Sequence, residues 1–168
     1  NTIRGTVTYW ANPDLKAEKV TSYDFGLDYY FGNAGYVKAT AYRNEASDFI
    51  YSVVRNATNQ DKINVGGVVP KGLELEGSYR PLPSLALSAS YTLNNSKIVK
   101  NESNTALIGK QLTNVPRHRG YLRADWTITP GSQVFAAMTH VGNRFGDDTN
   151  TEANTYKQYT IYDLGGSY

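Results

Sequence analysis

Tyr23-Asp24-Phe25-Gly26-Leu27-Asp28-Tyr29-Tyr30-Phe31 is the stretch that decides the fold. Its odd positions, Tyr23, Phe25, Leu27, Tyr29 and Phe31, are all large and apolar, whereas Asp24, Gly26, Asp28 and Tyr30 between them are mostly polar or small. Side chains of a strand alternate between two faces, so this segment reads as a strand with one apolar and one wetter face. A helix would set Asp24 and Asp28 on the same side as Phe31 and leave no apolar stripe.

The alternation recurs along the chain. Leu73, Leu75 and Tyr79 alternate with Glu74, Glu76 and Ser78; Leu85, Leu87, Ala89, Tyr91 and Leu93 alternate with Ala86, Ser88, Ser90 and Thr92. Leu122, Ala124, Trp126 and Ile128 alternate with Tyr121, Arg123, Asp125 and Thr127, and Tyr162, Leu164 and Tyr168 with Asp163 and Ser167. Two less cleanly divided strands are expected over residues 36–54 and 133–144, for about seven in all. Short connections with Gly, Pro and Ser turn chemistry fall at residues 32–35, 80–84 and 129–132. Between them lie longer polar stretches rich in Asn and Thr, at 55–61, 97–116 and 146–157.

Turns at one end and loops at the other are the asymmetry of an outer-membrane barrel. A strand of about ten residues at ~3.3 Å each spans ~33 Å. Tilted by ~40°, it covers an apolar band ~25 Å tall. The expected fold is therefore all-β, an antiparallel up-and-down transmembrane β-barrel, here an incomplete section of its wall. Tyr23, Phe25, Leu27, Leu73, Leu75, Leu87, Leu122, Trp126 and Leu164 are the expected lipid-facing residues. Tyrosines and Phe31 near the short turns suit an aromatic girdle. A β-sandwich would favour strands nearer ~5–6 residues. A soluble sheet-binding module would pack Phe25, Leu27, Leu75 and Leu87 against a second layer of the same chain.

Composition agrees. The 168 residues suit one domain. With 19% charged residues and a net charge of +2, no clustered field points to nucleic acid. Fourteen Tyr against 5 Phe and 2 Trp favour a surface that is half wet. No cysteine is present, which excludes disulfides and thiol chemistry. No apolar run is long enough for a transmembrane helix, and the mean hydropathy of −0.50 is uninformative for a barrel whose two faces average out. No signal-like segment opens the chain, as expected if it has been removed or if this is an internal piece.

No catalytic or metal constellation is present in the sequence. His118 and His140 lie on different strands without metal-ligand spacing and are expected to be structural or lumen-lining. The serines lack a nucleophile-elbow pattern. Glu74 and Glu76 share a strand face and are expected to hydrogen-bond lumen water or a plug rather than do acid–base work. Gly66-Gly67, with no helix after it, reads as relief of crowding or a bulge. Asp147-Asp148, Asn150 and Glu152 lack the central glycine of an EF-hand loop and read as a solvated loop.

Several segments carry a family resemblance. Asn12-Pro13-Asp14-Leu15-Lys16-Ala17-Glu18-Lys19, followed by Ser22-Tyr23-Asp24-Phe25-Gly26-Leu27, resembles the "NPDLKPE…SYELGL" signature of TonB-dependent outer-membrane receptors, departing at Ala17 where proline is usual. Gly72-Leu73-Glu74-Leu75-Glu76 and Leu87-Ser88-Ala89-Ser90-Tyr91-Thr92 are similar to two of its strands. Gly109 to His118 resembles its "G..l.nvP.h" loop, and Tyr159 to Tyr168 its late strand "y.v.DL..sY". The matches run through nearly the whole chain in the family's order.

The resemblance implies a plugged barrel of 22 strands, with residues 1–168 forming about a third of its wall. The N-terminal plug, the segment that contacts TonB and the final strands would lie outside. An open seven-stranded sheet leaves two backbone edges unpaired, which in lipid costs ~several kcal/mol per group and also argues for a fragment. The implied location is the outer membrane of a Gram-negative bacterium, with the Asn-Pro-Asp-Leu loop and the other long loops outside. The implied partners are outer-membrane lipid, the receptor's own plug and the TonB complex. The implied function is energised uptake of a metal chelate, most commonly a ferric siderophore, with no resident cofactor and no enzyme activity. Haem or cobalamin are alternative cargoes, although no His precedes the Asn-Pro-Asp-Leu motif as a haem receptor would suggest. A small outer-membrane enzyme or adhesion barrel is the alternative of another class. For ligand binding, Arg117 and Arg144 are candidates because guanidinium forks match anionic chelate oxygens, with Tyr156 supplying aromatic contact.

Overall fold

Seven long strands pair with one another in the order in which the chain makes them. A computed structural model describes residues 2–4, 7–56, 58–64 and 66–168. Its strands are β1 (Thr2–Arg4), β2 (Val7–Trp10), β3 (Lys19–Tyr30), β4 (Gly35–Ser47), β5 (Ile50–Asn56), β6 (Asn59–Asn64), β7 (Gly66–Leu82), β8 (Leu85–Asn101), β9 (His118–Thr129), β10 (Ser132–Val141), β11 (Arg144–Phe145), β12 (Thr155–Tyr156) and β13 (Tyr159–Ser167). The main sheet runs β3-β4-β7-β8-β9-β10-β13, and every pairing is antiparallel. Because it is a meander, all three short turns fall at one end and all three long connections at the other.

Register sorts the side chains. Residues paired across an antiparallel ladder point to the same face. One such row is Phe25↔Ala41↔Leu73↔Leu93 and another is Leu27↔Ala39↔Leu75↔Tyr91. On the other side of the sheet, Leu87↔Ala124↔Ala136↔Leu164 and Leu85↔Trp126↔Val134 continue the same face. Thus Tyr23, Phe25, Leu27, Leu73, Leu75, Leu87, Leu122, Trp126 and Leu164 all share one face across the seven strands. The opposite face carries Asp24, Asp28, Lys38, Glu74, Glu76, Ser88, Ser90, Arg119, Arg123 and Asp125. Among the described residues no second layer covers the apolar face: Phe25 is 68% exposed, Trp126 56% and Leu164 83%.

The two faces are held differently. On the polar face the Tyr36 hydroxyl donates to Glu76 Oε1 at 2.6 Å, Lys38 pairs with Asp28 at 3.9 Å, and Arg123 pairs with Asp125 at 2.6 Å. On the apolar face rings gather at the short-turn end: Tyr29 and Phe31 meet edge-on at 5.1 Å between centroids, and Phe31 and Tyr79 at 6.5 Å. The alternation blurs at β10 and β13, where Phe135, Val141 and Ile161 sit on the otherwise polar side. Phe135 lies over Gly165, whose missing Cβ would come within 2.5 Å of the ring, and the Arg123 guanidinium covers Phe135 at 3.9 Å.

The structure corrects several boundaries. The strand expected over 36–54 is two strands: β4 ends at Ser47, Asp48 takes a left-handed φ of 55°, and β5 leaves the main sheet. The stretch 55–61, expected to be a loop, is largely the β5–β6 hairpin, which also pairs with β2 and through it β1 in a four-stranded sheet. The loop expected at 97–116 starts later, because β8 continues to Asn101. The strand expected over 133–144 stops at Val141, and Arg144–Phe145 pairs instead with Thr155–Tyr156. Gly66-Gly67 marks a register shift opposite Lys100; a Cβ on Gly66 would lie 2.3 Å from the Lys100 carbonyl oxygen. The β7–β8 pair, at 17 residues each, is longer than the apolar band requires and carries the sheet into the long connections.

Candidate functional site

The long connections fold over the polar side of the sheet at one end. Val68, Ile98 and Leu107 form a small buried cluster there, with Ala46, Phe49 and Leu112 packed against it. Val68 and Ile98 are paired strand residues on the polar-face parity. Apolar burial therefore anchors the loops to the polar side of the sheet.

Asparagine side chains do most of the remaining joining. Asn64 Oδ1 accepts the Lys16 N–H at 2.8 Å, and its amide donates to the carbonyls of Lys16 and Asp48, which ties the Asn12–Lys19 segment to the β5–β6 hairpin. Glu18 adds a bond from the Ile50 N–H at 2.8 Å. Asn150 both accepts the Gln111 N–H at 2.6 Å and donates to the Gln111 carbonyl at 3.0 Å, joining the second and third long connections. The Asn114 N–H donates to the Phe145 carbonyl at 2.8 Å. Burial raises the Tyr51 hydroxyl pKa above its ordinary value, and a hydrogen bond to Asp148 adds to the shift and links the first connection to the third.

Asp147 organises the third connection. Its carboxylate accepts from the Thr151 hydroxyl, the Thr151 N–H at 3.0 Å, Asn154 Nδ2 at 2.8 Å and the Thr149 hydroxyl at 2.9 Å. The Thr151 hydroxyl, then the Thr151 amide and Asn154, hold this carboxyl well below the usual carboxylate range. Four donors to one carboxylate leave it engaged with the loop itself, and no His/Cys/Asp/Glu group suited to a metal occurs among the described residues.

Of the three residues expected to bind ligand, the structure brings two together. Arg144 and Tyr156 are partners in the β11–β12 ladder, with the guanidinium 5.1 Å from the Tyr156 ring centroid. Tyr159, which the sequence reading missed, adds a second ring at 5.8 Å. Tyr159 pairs with Val141 on the polar-face parity, so Arg144 sits at the mouth of the wet side. Among the described residues Arg144 makes no ion pair. Arg117 is exposed, its carbonyl accepts the Asn94 N–H at 2.8 Å, and it has the residue parity of Arg119 and Arg123. No hydrogen bond, ion pair or ring contact joins it to Arg144 among the described residues. Of the two roles expected for the histidines, structural or lumen-lining, the structure shows the first: both make cross-strand side-chain hydrogen bonds on the parity of the apolar face. His118 has the parity of Leu122 and hydrogen-bonds Tyr91 at 2.7 Å, while His140 has that of Met138 and hydrogen-bonds Thr160 at 2.9 Å.

Comparison with known proteins places this geometry. The family model of the TonB-dependent receptor-like β-barrel matches residues 2–168. An uncharacterised TonB-dependent receptor of Haemophilus influenzae is 28% identical over 164 residues, covering 94% of this chain and 46% of that protein. A mutant ferric enterobactin receptor of Pseudomonas aeruginosa, solved with enterobactin, superposes with a TM-score of 0.77 at 24% identity, over 95% of this chain and 25% of that one. The copper transporter OprC superposes with a TM-score of 0.71 at 21% identity, over 92% and 23%. At these identities the structural likenesses establish the fold. The chain spans about half the length of its curated relative and about a quarter of each solved barrel.

Proposed function

From the premise that the chain belongs to the TonB-dependent receptor β-barrel family, we propose that it is a section of the wall of an outer-membrane receptor that imports a metal chelate, a ferric siderophore first among them. The observation that carries this is the sorting of the sheet: one predominantly apolar face that no second layer covers among the described residues, one charged face, and all long connections gathered over the charged side. Such a wall belongs between lipid and a wet lumen. Family members and the solved neighbours are receptors and transporters rather than enzymes.

On this reading the apolar face meets outer-membrane lipid, and the charged face meets water and the receptor's plug. TonB acts on parts of the receptor outside these residues. The chemistry of uptake is binding and displacement, with no resident cofactor. Arg144, stacked against Tyr156 and Tyr159 and paired with no carboxylate among the described residues, presents a cation in an aromatic frame at the lumen mouth. That combination suits the anionic, planar oxygens of a chelate, and Arg117 adds a second exposed guanidinium.

The test is growth of a deletion strain under iron limitation on defined chelates, complemented by the intact receptor or by its Arg144→Ala and Arg117→Ala variants. Wild-type complementation should restore growth on a ferric siderophore, with Arg144→Ala weakening ligand affinity about 10- to 100-fold, the range of a hydrogen bond to a charged group. Restoration only by haem or cobalamin would reassign the cargo. No dependence on any metal chelate would remove the uptake reading.

A further inference from the structure

A cavity lies where the segment before β3 meets the β5–β6 hairpin. There β2 and β6 pair in parallel, with Thr8 opposite Asn59 and Trp10 opposite Asp61. Residues two apart on a strand share a face, so Trp10, Asn59, Asp61 and Ile63 stand together on one side of the small sheet. With Ala11 and Asn12 they line a space of about 520 Å³. Trp10 is half exposed, and its Nε1–H donates to Asn59 Oδ1 at 3.4 Å, which sets the indole against the amide. The Asn12 amide donates to the Lys62 carbonyl at 3.0 Å, and its Oδ1 accepts the Asp14 N–H at 3.0 Å, so this side chain is held in place as well.

The lining narrows the chemistry of what fits. No Lys, Arg or His contributes to it among the described residues, which sets it apart from the guanidinium of Arg144 and disfavours an anion. Asp61 is 8% exposed and already has a partner, so its carboxylate does not stand as an open charge for a cation. A purely apolar guest would strip water from the Asn59 amide and the Asp61 carboxylate and give nothing back. A neutral ring with an apolar C–H face and a rim of hydroxyls meets every wall. The flat indole has an electron-rich face that attracts polarised C–H groups. Amides and carboxylates pair with hydroxyls, which both donate and accept.

We infer that this cavity binds a neutral hexopyranose ring, one C–H face of the sugar lying on the Trp10 indole and its hydroxyls on Asn59 and Asp61. Because Asn59 Oδ1 is taken by Trp10, the Asn59 amide N–H is the group that donates to a sugar oxygen. A carboxylate has about four lone-pair sites, so Asp61 accepts a sugar hydroxyl beside its existing partner. The site shares no residue with the cluster of Arg144, Tyr156 and Tyr159, and it stands whatever cargo that cluster takes. The ring comes either from a free sugar or from the end of a surface polysaccharide.

The experiment is saturation-transfer NMR on the intact receptor in a sugar-free detergent, with methyl β-D-glucopyranoside, methyl β-D-galactopyranoside and cellotetraose as probes. At least one monosaccharide should bind with a Kd of about 1 mM, the scale for a ligand of its size at ordinary efficiency. The ring C–H protons of one face should take most of the transfer. Trp10→Ala should weaken binding about 10-fold, the upper range of one aromatic stacking contact, and Asn59→Ala about 5-fold, the size of one neutral hydrogen bond. Trp10→Phe keeps a ring on the wall and should bind more tightly than Trp10→Ala, which separates a lost platform from a disturbed loop. Tighter binding of cellotetraose assigns the ring to a polysaccharide, and equal or weaker binding to a free sugar; either counts only if Trp10→Ala loses it. No transfer to any of the three probes, an unchanged affinity in Trp10→Ala, equal binding of the open-chain polyol sorbitol, or displacement of the sugar by choline would each overturn the inference.

Discussion

The seven-stranded wall and the folded connections at its end are built by different means from the same chain. The wall relies on repetition: period-two alternation, ladder hydrogen bonds and large side chains left uncovered on one face. The connections rely on particular side chains, among them Asn64, Asn150 and Asp147, each satisfying several backbone or hydroxyl groups at once. The wall has many interchangeable residues of one kind, and the connections have few that any other residue type could replace. The difference teaches where specificity resides. A wall need only be apolar on one face and wet on the other, whereas the connections hold Arg144 against Tyr156 and Tyr159, the cluster on which the proposed binding role rests.

The largest effect should come from confusing the two faces of the wall. Leu75→Arg in the intact receptor places a charge on the apolar face, which costs about 2–4 kcal/mol at the bilayer midplane. Ser90→Arg, on the opposite face next to Glu76, should cost little. Guanidinium unfolding of the two variants in lipid vesicles compares them, and equal destabilisation would break the distinction between the faces. Next in size, Gly165→Leu should push Phe135 off its seat and disturb the Arg123 stack, an overpacking cost of about 1–3 kcal/mol, read from the same unfolding curves.

Smaller and more local, Asn64→Ala removes the bonds to Lys16 and Asp48 and should cost about 1 kcal/mol. Hydrogen exchange should quicken over residues 48–64 and leave β7 to β10 unchanged; quickening across the sheet would mean that wall and connections are one cooperative unit. The smallest effect concerns Asp147. Its folded-state pKa is depressed, so the order it confers is complete above the ordinary carboxyl value of about 4 and fades as pH falls below it. The Thr151 amide shift should titrate on acidification in the wild type and stay flat in Asp147→Asn.

The wall was largely legible in the sequence because alternation survives without knowledge of partners. The parity of Phe25, Leu75, Leu87 and Leu164 already assigns them to one face, and the ladder only aligns the strands. The strands at 36–54 and 133–144 were harder for physical reasons: the first turns out of the sheet at the left-handed Asp48, and the second carries Phe135 on the wet side because Gly165 leaves space beneath it. The cluster around Arg144 was half legible. Residue type alone singled out Arg144 and Tyr156, whereas Tyr159 became visible only when β13 set its ring beside the guanidinium. The β5–β6 hairpin lies in a polar stretch whose pairing depends on Asn64 and Glu18 reaching a distant segment, which no local pattern records.

The central claim is that one face of this sheet touches hydrocarbon. These 168 residues contain no cysteine, so in an intact receptor with any cysteines elsewhere replaced by serine, single cysteines can be placed one at a time through residues 73–79 and spin-labelled in a bilayer. The account predicts oxygen accessibility with a period of two, high at 73, 75, 77 and 79 and low at 74, 76 and 78. A flat profile, or maxima at the even positions, would contradict it.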